Sequence, residues 1–179
     1  MSAPDTFPRQ SARTQRFTLG APRDLSVAAD GTRVAFLRSG GPEDPVTALW
    51  TMDVATGVER VVADPASLHD VTHDLPPEER ARRERARESA AGITAYATDA
   101  HHRVAVAALA GQLVIVDLDA ASSRVLPVAS TVIDPRPDPT GRRVAWVDGR
   151  RLWVADLADP SGARVVAADD DPEVCWGVA

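Results

Sequence analysis

The stretch Asp30-Gly31-Thr32-Arg33-Val34-Ala35-Phe36 decides the fold, because similar stretches occur twice more in the chain. The second copy runs from Asp99 to Arg103-Val104-Ala105-Val106, and the third runs from Asp138 to Arg143-Val144-Ala145-Trp146. Each copy places turn-forming residues before a short apolar run, which predicts a tight turn followed by a β-strand. Recurrence at such intervals indicates a repeat architecture.

Two further strands follow each copy. The first of them is apolar and ends at an aspartate: Leu49-Trp50-Thr51-Met52-Asp53-Val54, Leu113-Val114-Ile115-Val116-Asp117-Leu118 and Leu152-Trp153-Val154-Ala155-Asp156-Leu157. The second lies beyond another turn: Glu59-Arg60-Val61-Val62, Arg124-Val125-Leu126 and Arg164-Val165-Val166. Short strands at 25–28, 94–97 and 131–134 precede the three turns, so each unit is predicted to have four strands.

Four short antiparallel strands per unit are typical of a β-propeller blade. Asp117 and Asp156 lie 39 positions apart, close to the roughly 40–45 residues of a blade. We therefore predict an all-β fold with an N-terminal extension at 1–19 and a partial propeller at 20–179. Its blades are expected at about 20–64, 92–128 and 131–168. Propellers have about 4–8 blades, so three predict an incomplete ring, and 174–179 is expected to open a fourth.

Residues 65–91 depart from the repeat. Pro76, Pro77 and the two glutamates after them favour an arginine-rich helix over about 76–90. Its alanines are too small to form an apolar stripe, so it is not expected in the core. Either it is a solvated helix held by its own charge pairs, or one or two arginines point into a cavity and hold a carbonyl or carboxylate.

Composition excludes several classes of function. A net charge of −6 argues against a nucleic-acid surface, since phosphate binding needs clustered cations. Cys175 is the only cysteine, so neither an intrachain disulfide nor a cysteine metal site is expected. Neither a signal peptide nor a membrane span is recognisable, which favours the cytoplasm without membrane contact.

Other clusters favour structural roles. His69, Asp70, His73 and Asp74 have helical spacing, but they precede a Pro-Pro helix entry and offer no third ligand set. His101-His102 is expected to be a surface turn, and 169–171 a solvated linker. No metal site and no cofactor are predicted. Trp50, Trp146 and Trp153 are expected to fill gaps between blades.

The stretch from Glu79 to Tyr96, ERARRERARESAAGITAY, resembles the arginine helix and Gly-Ile-x-x-Tyr strand of the cytosolic branch of the dipeptidyl peptidase IV family, in the prolyl oligopeptidase clan of serine peptidases. The resemblance implies an eight-bladed propeller over a C-terminal α/β-hydrolase domain. The triad of that domain releases N-terminal dipeptides with Pro or Ala second. It also implies substrate contacts from Arg83, Arg85 and Arg87.

The catalytic domain itself is absent from this sequence, which has no Gly-x-Ser-x-Gly motif, so no catalytic residue is assigned. The family's amine-binding glutamate pair follows a segment like Trp176-Gly177-Val178-Ala179, and Glu78-Glu79 in the insertion is not a substitute for it. The sequence thus predicts the substrate-gating propeller portion of a dipeptidyl aminopeptidase. Peptides and the hydrolase domain are its expected partners, with homodimerisation of the full-length enzyme left open. The alternative is a non-enzymatic, protein-binding propeller.

Overall fold

The computed structural model describes residues 6–68, 91–171 and 173–177. Over these ranges β-strands are the main regular structure, and they form three antiparallel sheets, each of four consecutive strands. The first sheet contains β1 Arg23–Val27, β2 Arg33–Ser39, β3 Val46–Asp53 and β4 Glu59–Ala63. A two-residue strand, β5 Ala91–Gly92, joins its β3 in parallel.

The other two sheets repeat the same order. The second contains β6 Tyr96–Thr98, β7 Val104–Leu109, β8 Gln112–Asp117 and β9 Ser122–Leu126. The third contains β10 Ile133–Pro137, β11 Arg143–Val147, β12 Leu152–Asp156 and β13 Arg164–Ala167. The predicted four-stranded units are therefore present.

The alignment of the second repeat by sequence is wrong by one residue. Strand pairing places Arg33 opposite Asp53 and Arg143 opposite Asp156, but it places Val104, not Arg103, opposite Asp117. The turn before this strand has the same length in all three sheets, because the backbone N–H groups of Ala28, Asp99 and Asp138 occupy equivalent positions. These groups donate to the carbonyls of Arg33, Val104 and Arg143 respectively.

The corrected register defines the two faces of every sheet. We call the face that carries Phe36, Ala107 or Trp146 the front, and the opposite one the back. The back of the first sheet packs on the front of the second through buried residues that include Leu37, Leu49, Val62, Ala107 and Val114. The back of the second packs on the front of the third through Val106, Leu113, Ile115, Val144 and Trp146. Because every strand contributes to both faces, the core is two layers between three sheets.

One backbone hydrogen bond recurs where the chain passes from each sheet to the next. Ile93 N donates to Thr47 O over 2.9 Å, and Val132 N donates to Gly111 O over 2.8 Å. Both donors are fully buried. Trp176 N makes the equivalent bond to Arg150 O over 3.0 Å on the third sheet. The segment 173–177 thus follows the path of the two earlier crossovers.

The N-terminal region contains a short helix, α1 Phe7–Arg13, where the sequence had predicted no element. Pro8 in its first turn suits a helix start. Gly20 N then donates to Ser39 Oγ over 2.9 Å, which fixes the chain to β2 before β1 begins. In the described part of the chain, no helix is both long enough and apolar enough to cross a membrane.

Candidate functional site

The sheets expose two opposite edges with different content. At one edge lie the β2–β3, β7–β8 and β11–β12 hairpins and the crossovers between sheets, and we call it the crossover edge. At the other edge lie the turns that join the first strand to the second and the third strand to the fourth in each sheet. We call this the turn edge. Antiparallel order requires this division, because consecutive turns alternate between the two ends of a sheet.

The insertion leaves and rejoins the first sheet at the crossover edge. It leaves after the 3₁₀ turn Pro65–Ser67, which Asp64 Oδ1 caps by accepting from Ala66 N over 2.9 Å. It rejoins at Gly92, whose φ is +79°. A Cβ on Gly92 would lie 2.5 Å from Thr47 O and 3.0 Å from Pro65 Cγ, so only glycine fits and the two ends of the insertion meet.

The residues predicted to contact substrate, Arg83, Arg85 and Arg87, lie in 69–90, outside the described residues. So do the arginine-rich helix itself and the discounted cluster His69, Asp70, His73 and Asp74. The substrate contact therefore stays a prediction. What the structure adds is the place on the first sheet where this segment begins and ends.

Charged side chains on β1 and β10, the first strands of the first and third sheets, lie near the crossover edge. Arg23 Nη1 is 3.2 Å from Asp24 Oδ2 and donates to Thr94 O over 3.4 Å, which bridges the first and second sheets. In the third sheet, Arg136 Nη2 is 2.8 Å from Asp134 Oδ1. All four charged side chains keep at least a third of their surface exposed. We call these residues the inner-edge cluster.

Two backbone irregularities shape the inner-edge cluster. Asp24 and Asp134 both have positive φ, at 52° and 46°, and both lie in bulges where their strands pair with β2 and β11. Asp tolerates this conformation better than most residues do. The two bulges lie at matching positions, so the two acids occupy equivalent places in the first and third sheets. Each bulge also redirects its strand locally.

Tyr96, the last residue of the motif that carries the family resemblance, connects the second sheet to the first. Its hydroxyl lies 2.8 Å from the carbonyl oxygens of both Asp24 and Ala35 in the first sheet. Burial, and secondarily the charge of Asp24, raises the pKa of Tyr96 to about 12. The tyrosine is therefore a neutral hydrogen-bond donor between sheets.

His102 corrects the expectation of a surface turn at His101-His102. His101 is exposed, but His102 is 6% exposed, with φ at +51°. Its Nε2 lies 2.8 Å from Ser26 Oγ, and its carbonyl accepts from Arg33 Nη1 over 2.7 Å. The histidine thus joins the second sheet to the first. The burial of His102 depends on the positive φ of this turn residue, which the sequence alone does not reveal.

Within the described residues, the Ser26–His102 pair has no third member. In a Ser-His-Asp triad a carboxylate accepts from the second imidazole nitrogen, but among these residues His102 Nδ1 is buried without a hydrogen-bond partner. The nearby Asp99 uses Oδ1 to accept from Arg103 N and Val104 N. Burial lowers the pKa of His102, with Asp99 opposing that effect, so the ring is held neutral.

The aspartates of the turn edge accept hydrogen bonds from backbone N–H groups. Asp138 Oδ1 accepts from Arg142 N and Arg143 N, and its Oδ2 accepts from Thr140 Oγ1 over 2.6 Å. These bonds, led by that from Thr140, lower the pKa of Asp138 to about 2. The exposed run 169–171 also bonds its own backbone, as Asp169 accepts from Asp171 N. Within the described ranges, no three acids, histidines or cysteines are placed to hold a metal ion.

The predicted packing role of the tryptophans holds for two of them. Trp146 is 1% exposed and stacks on Trp153 at 6.1 Å between ring centroids, and both pack against the second sheet. Trp50 stacks on Phe36 at 6.5 Å, but this pair lies on the front of the first sheet. No sheet covers that face within the described chain.

Comparison with known proteins places the fold among β-propellers. No family model matches the chain. The crystal structure of the tricorn protease superposes on 83% of this chain with a TM-score of 0.54 and 15% identity. TolB from Acinetobacter baumannii matches with a TM-score of 0.50 and 13% identity over 83% of the chain. The β-propeller domain of Cps50 (Swd1) from Myceliophteria thermophila matches with a TM-score of 0.50 and 14% identity over 82%.

These matches confirm the fold class: the chain is an incomplete propeller of four-stranded blades. It spans 13% of the length of the tricorn protease chain, 32% of TolB and 39% of the Cps50 domain. At such identities the likeness concerns the fold alone. Within the described residues, the charged side chains of the inner-edge cluster are exposed ion pairs.

Proposed function

We propose that this chain is the N-terminal, substrate-gating propeller portion of a serine-type dipeptidyl aminopeptidase that acts in the cytoplasm. The observation that supports this most is the attachment of the insertion. The insertion that contains the stretch resembling the arginine helix of the dipeptidyl peptidase IV family is flanked by Pro65 and Gly92, which lie together at the crossover edge. The Gly-Ile-x-x-Tyr part of the same stretch is held by Ile93 N and the Tyr96 hydroxyl.

Gating by such a segment is chemically reasonable. A guanidinium offers five donors in a planar fork, so an arginine can hold the carbonyls or the carboxylate of a short peptide. Bond cleavage would come from a hydrolase domain supplied by the complete protein, and these arginines would select and orient its peptide substrates.

The test uses the complete enzyme and a chromogenic dipeptide substrate with Pro in the second position. Arg83→Ala, Arg85→Ala and Arg87→Ala are compared with Arg9→Ala, a control in the N-terminal extension. We expect at least one of the three to lower kcat/KM by about tenfold, the loss of one charge-assisted contact. Unchanged kcat/KM in all three would reject the substrate contact. Absence of dipeptidyl peptidase activity from the complete protein would reject the proposed function.

A second candidate is a protein-binding propeller without enzymatic activity. It explains the three repeated four-stranded sheets as well as the peptidase does. Reading the gene beyond codon 179 separates the two candidates. A glutamate pair followed by a distant Gly-x-Ser-x-Gly domain supports the peptidase, whereas further blades alone support the binding module.

A further inference from the structure

The turn between the first two strands of each sheet contains one residue with a left-handed backbone. The three residues are equivalent, because the N–H of each donates to the carbonyl three positions earlier: Gly31, His102 and Gly141. Their φ values are +72°, +51° and +67°. Glycine adopts this conformation without steric cost, whereas a side chain makes it unfavourable. Among the three described sheets, the second alone therefore accepts backbone strain here, and it thereby gains an imidazole at this position.

The imidazole of His102 lies between the second sheet and the first. The residue is 6% exposed, and its Nε2 lies 2.8 Å from Ser26 Oγ on β1 and 3.4 Å from Thr98 Oγ1 on β6. Its carbonyl accepts from Arg33 Nη1 over 2.7 Å, and Arg33 Nη2 is 2.8 Å from Asp119 Oδ1 in the turn after β8. We call Ser26, Arg33, His102 and Asp119 the turn-edge latch, since they join the two sheets at that edge.

The neutral ring of His102 fits the turn-edge latch, but the charged ring does not. A neutral imidazole has one donor and one acceptor nitrogen, and the Ser26 hydroxyl can pair with Nε2 in either role. In the imidazolium both nitrogens are donors, so Nδ1–H also needs an acceptor. Nδ1 is buried, and the described residues offer it none. Protonation therefore leaves a charged donor buried and unpaired, whichever nitrogen held the first proton.

The charges around the ring do not compensate for its burial. Burial lowers the pKa of His102, and Asp99 in the same turn opposes that effect. Asp99 Oδ1, however, already accepts from two backbone N–H groups. From the first sheet, the guanidinium of Arg33 lowers the pKa of the ring further and Asp30 raises it. The ring therefore takes up a proton more readily in water than between the sheets.

We propose that the turn-edge latch is a pH-sensitive connection between the first and second sheets, which opens when His102 takes up a proton. Opening separates the ring from Ser26 and, through the carbonyl of the same residue, weakens the bond from Arg33. The crossover edge stays joined, since the bond from Ile93 N to Thr47 O and the apolar core beside it contain no group that titrates in this range. This behaviour depends on contacts within the chain and is independent of the proposed peptidase function.

Backbone hydrogen exchange of the 179-residue chain, followed by NMR and corrected for the intrinsic rate at each pH, tests the latch. Between about pH 7 and about pH 5, we expect the protection of Ala28 N and Asp99 N to fall about tenfold, because these groups close the two turns that the latch joins. Protection of Ile93 N at the crossover edge should stay constant. Constant protection at the turn edge overturns the proposal, and so does an equal fall at Ile93 N, which would indicate global unfolding.

Two variants show whether His102 is the group responsible. His102→Gln keeps a neutral side chain at all these pH values, so its turn-edge protection should not depend on pH. His101→Gln is the matched control, because it replaces the exposed neighbour and should behave like the parent chain. A fall in His102→Gln as large as that in the parent chain would overturn the proposal.

A second measurement needs no variant and does not depend on how well His102→Gln folds. The NMR signals of the imidazole rings are followed in the same pH series. Loss of protection at Ala28 N and Asp99 N should follow the titration of the His102 ring. If it follows the titration of His101, or of neither ring, the latch is rejected.

Discussion

His102 makes folding stability depend on pH through its burial between two sheets. Burial lowers the pKa of the folded imidazole below 6.5, so below that pH the unfolded chain binds a proton that the folded chain binds less readily. We expect the free energy of unfolding to fall as the pH drops from about 6.5 through the folded pKa. Urea unfolding at a series of pH values measures the effect.

Two substitutions assign this pH dependence. His102→Gln removes the titrating group and should flatten the dependence in this range, whereas His101→Gln replaces an exposed neighbour and should leave it intact. If both variants keep the slope of the parent chain, another group is responsible.

Gly92 is expected to tolerate substitution less than other glycines with positive φ. An alanine there meets both the left-handed conformation and a Cβ position 2.5 Å from Thr47 O. Gly57 has φ +68° with open space around it, so Gly57→Ala carries the conformational cost alone, about 1 kcal/mol. Gly92→Ala should lose about 1–3 kcal/mol more in the free energy of unfolding, because backbone must move. Equal losses in urea unfolding would contradict this account of the junction.

At the scale of the element, an aspartate stabilises the turn between the first two strands of a sheet. Asp138 accepts from two backbone N–H groups and one hydroxyl, and Asp99 accepts similarly in the second sheet. Asp138→Ala should lower the free energy of unfolding by about 1 kcal/mol, since the turn is exposed and water replaces part of the lost bonding. Urea unfolding at neutral pH measures it.

The turn of the first sheet has no aspartate at the position of Asp138, so it provides a comparison. Ala28 occupies the place of Asp99 and Asp138, and Asp30 supplies only one backbone bond, to Thr32 N. Asp30→Ala should therefore cost less than Asp138→Ala. A larger loss at Asp30 would show that its turn does not work in the way described.

These turns also explain which part of the fold the sequence could predict. Alternation and turn residues predicted four strands per unit, because both are local properties of the chain. Matching Arg103 with Arg33 misaligned the second repeat, since Val104 occupies the place that Arg33 and Arg143 occupy in the other two sheets. The contacts of Ser26 with His102 and of Tyr96 with Ala35 join residues 76 and 61 positions apart, which no local pattern encodes. The candidate substrate arginines rest on resemblance alone.

At the scale of the whole molecule, protection should be greatest in the middle. Within the described residues, the second sheet has sheets on both faces, whereas the first and third each have one, and the stability of a stacked repeat depends on its neighbours. In native-state hydrogen exchange of the 179-residue chain, β7 and β8 should exchange most slowly, and β1 and β13 faster. Uniform exchange across the three sheets would indicate a single cooperative unit instead.

The junction of Pro65 with Gly92 has a consequence for how this protein can diversify. Because the departing and returning chains touch, a segment between them can change in length while both attachment points stay where they are. The first sheet can therefore act as a constant scaffold, on which one inserted segment can be exchanged for another of different size and chemistry. A short turn grafted between residues 68 and 91 would keep the same scaffold, since Leu68 of the core and Ala91 of β5 stay in place, and so would a foreign recognition loop.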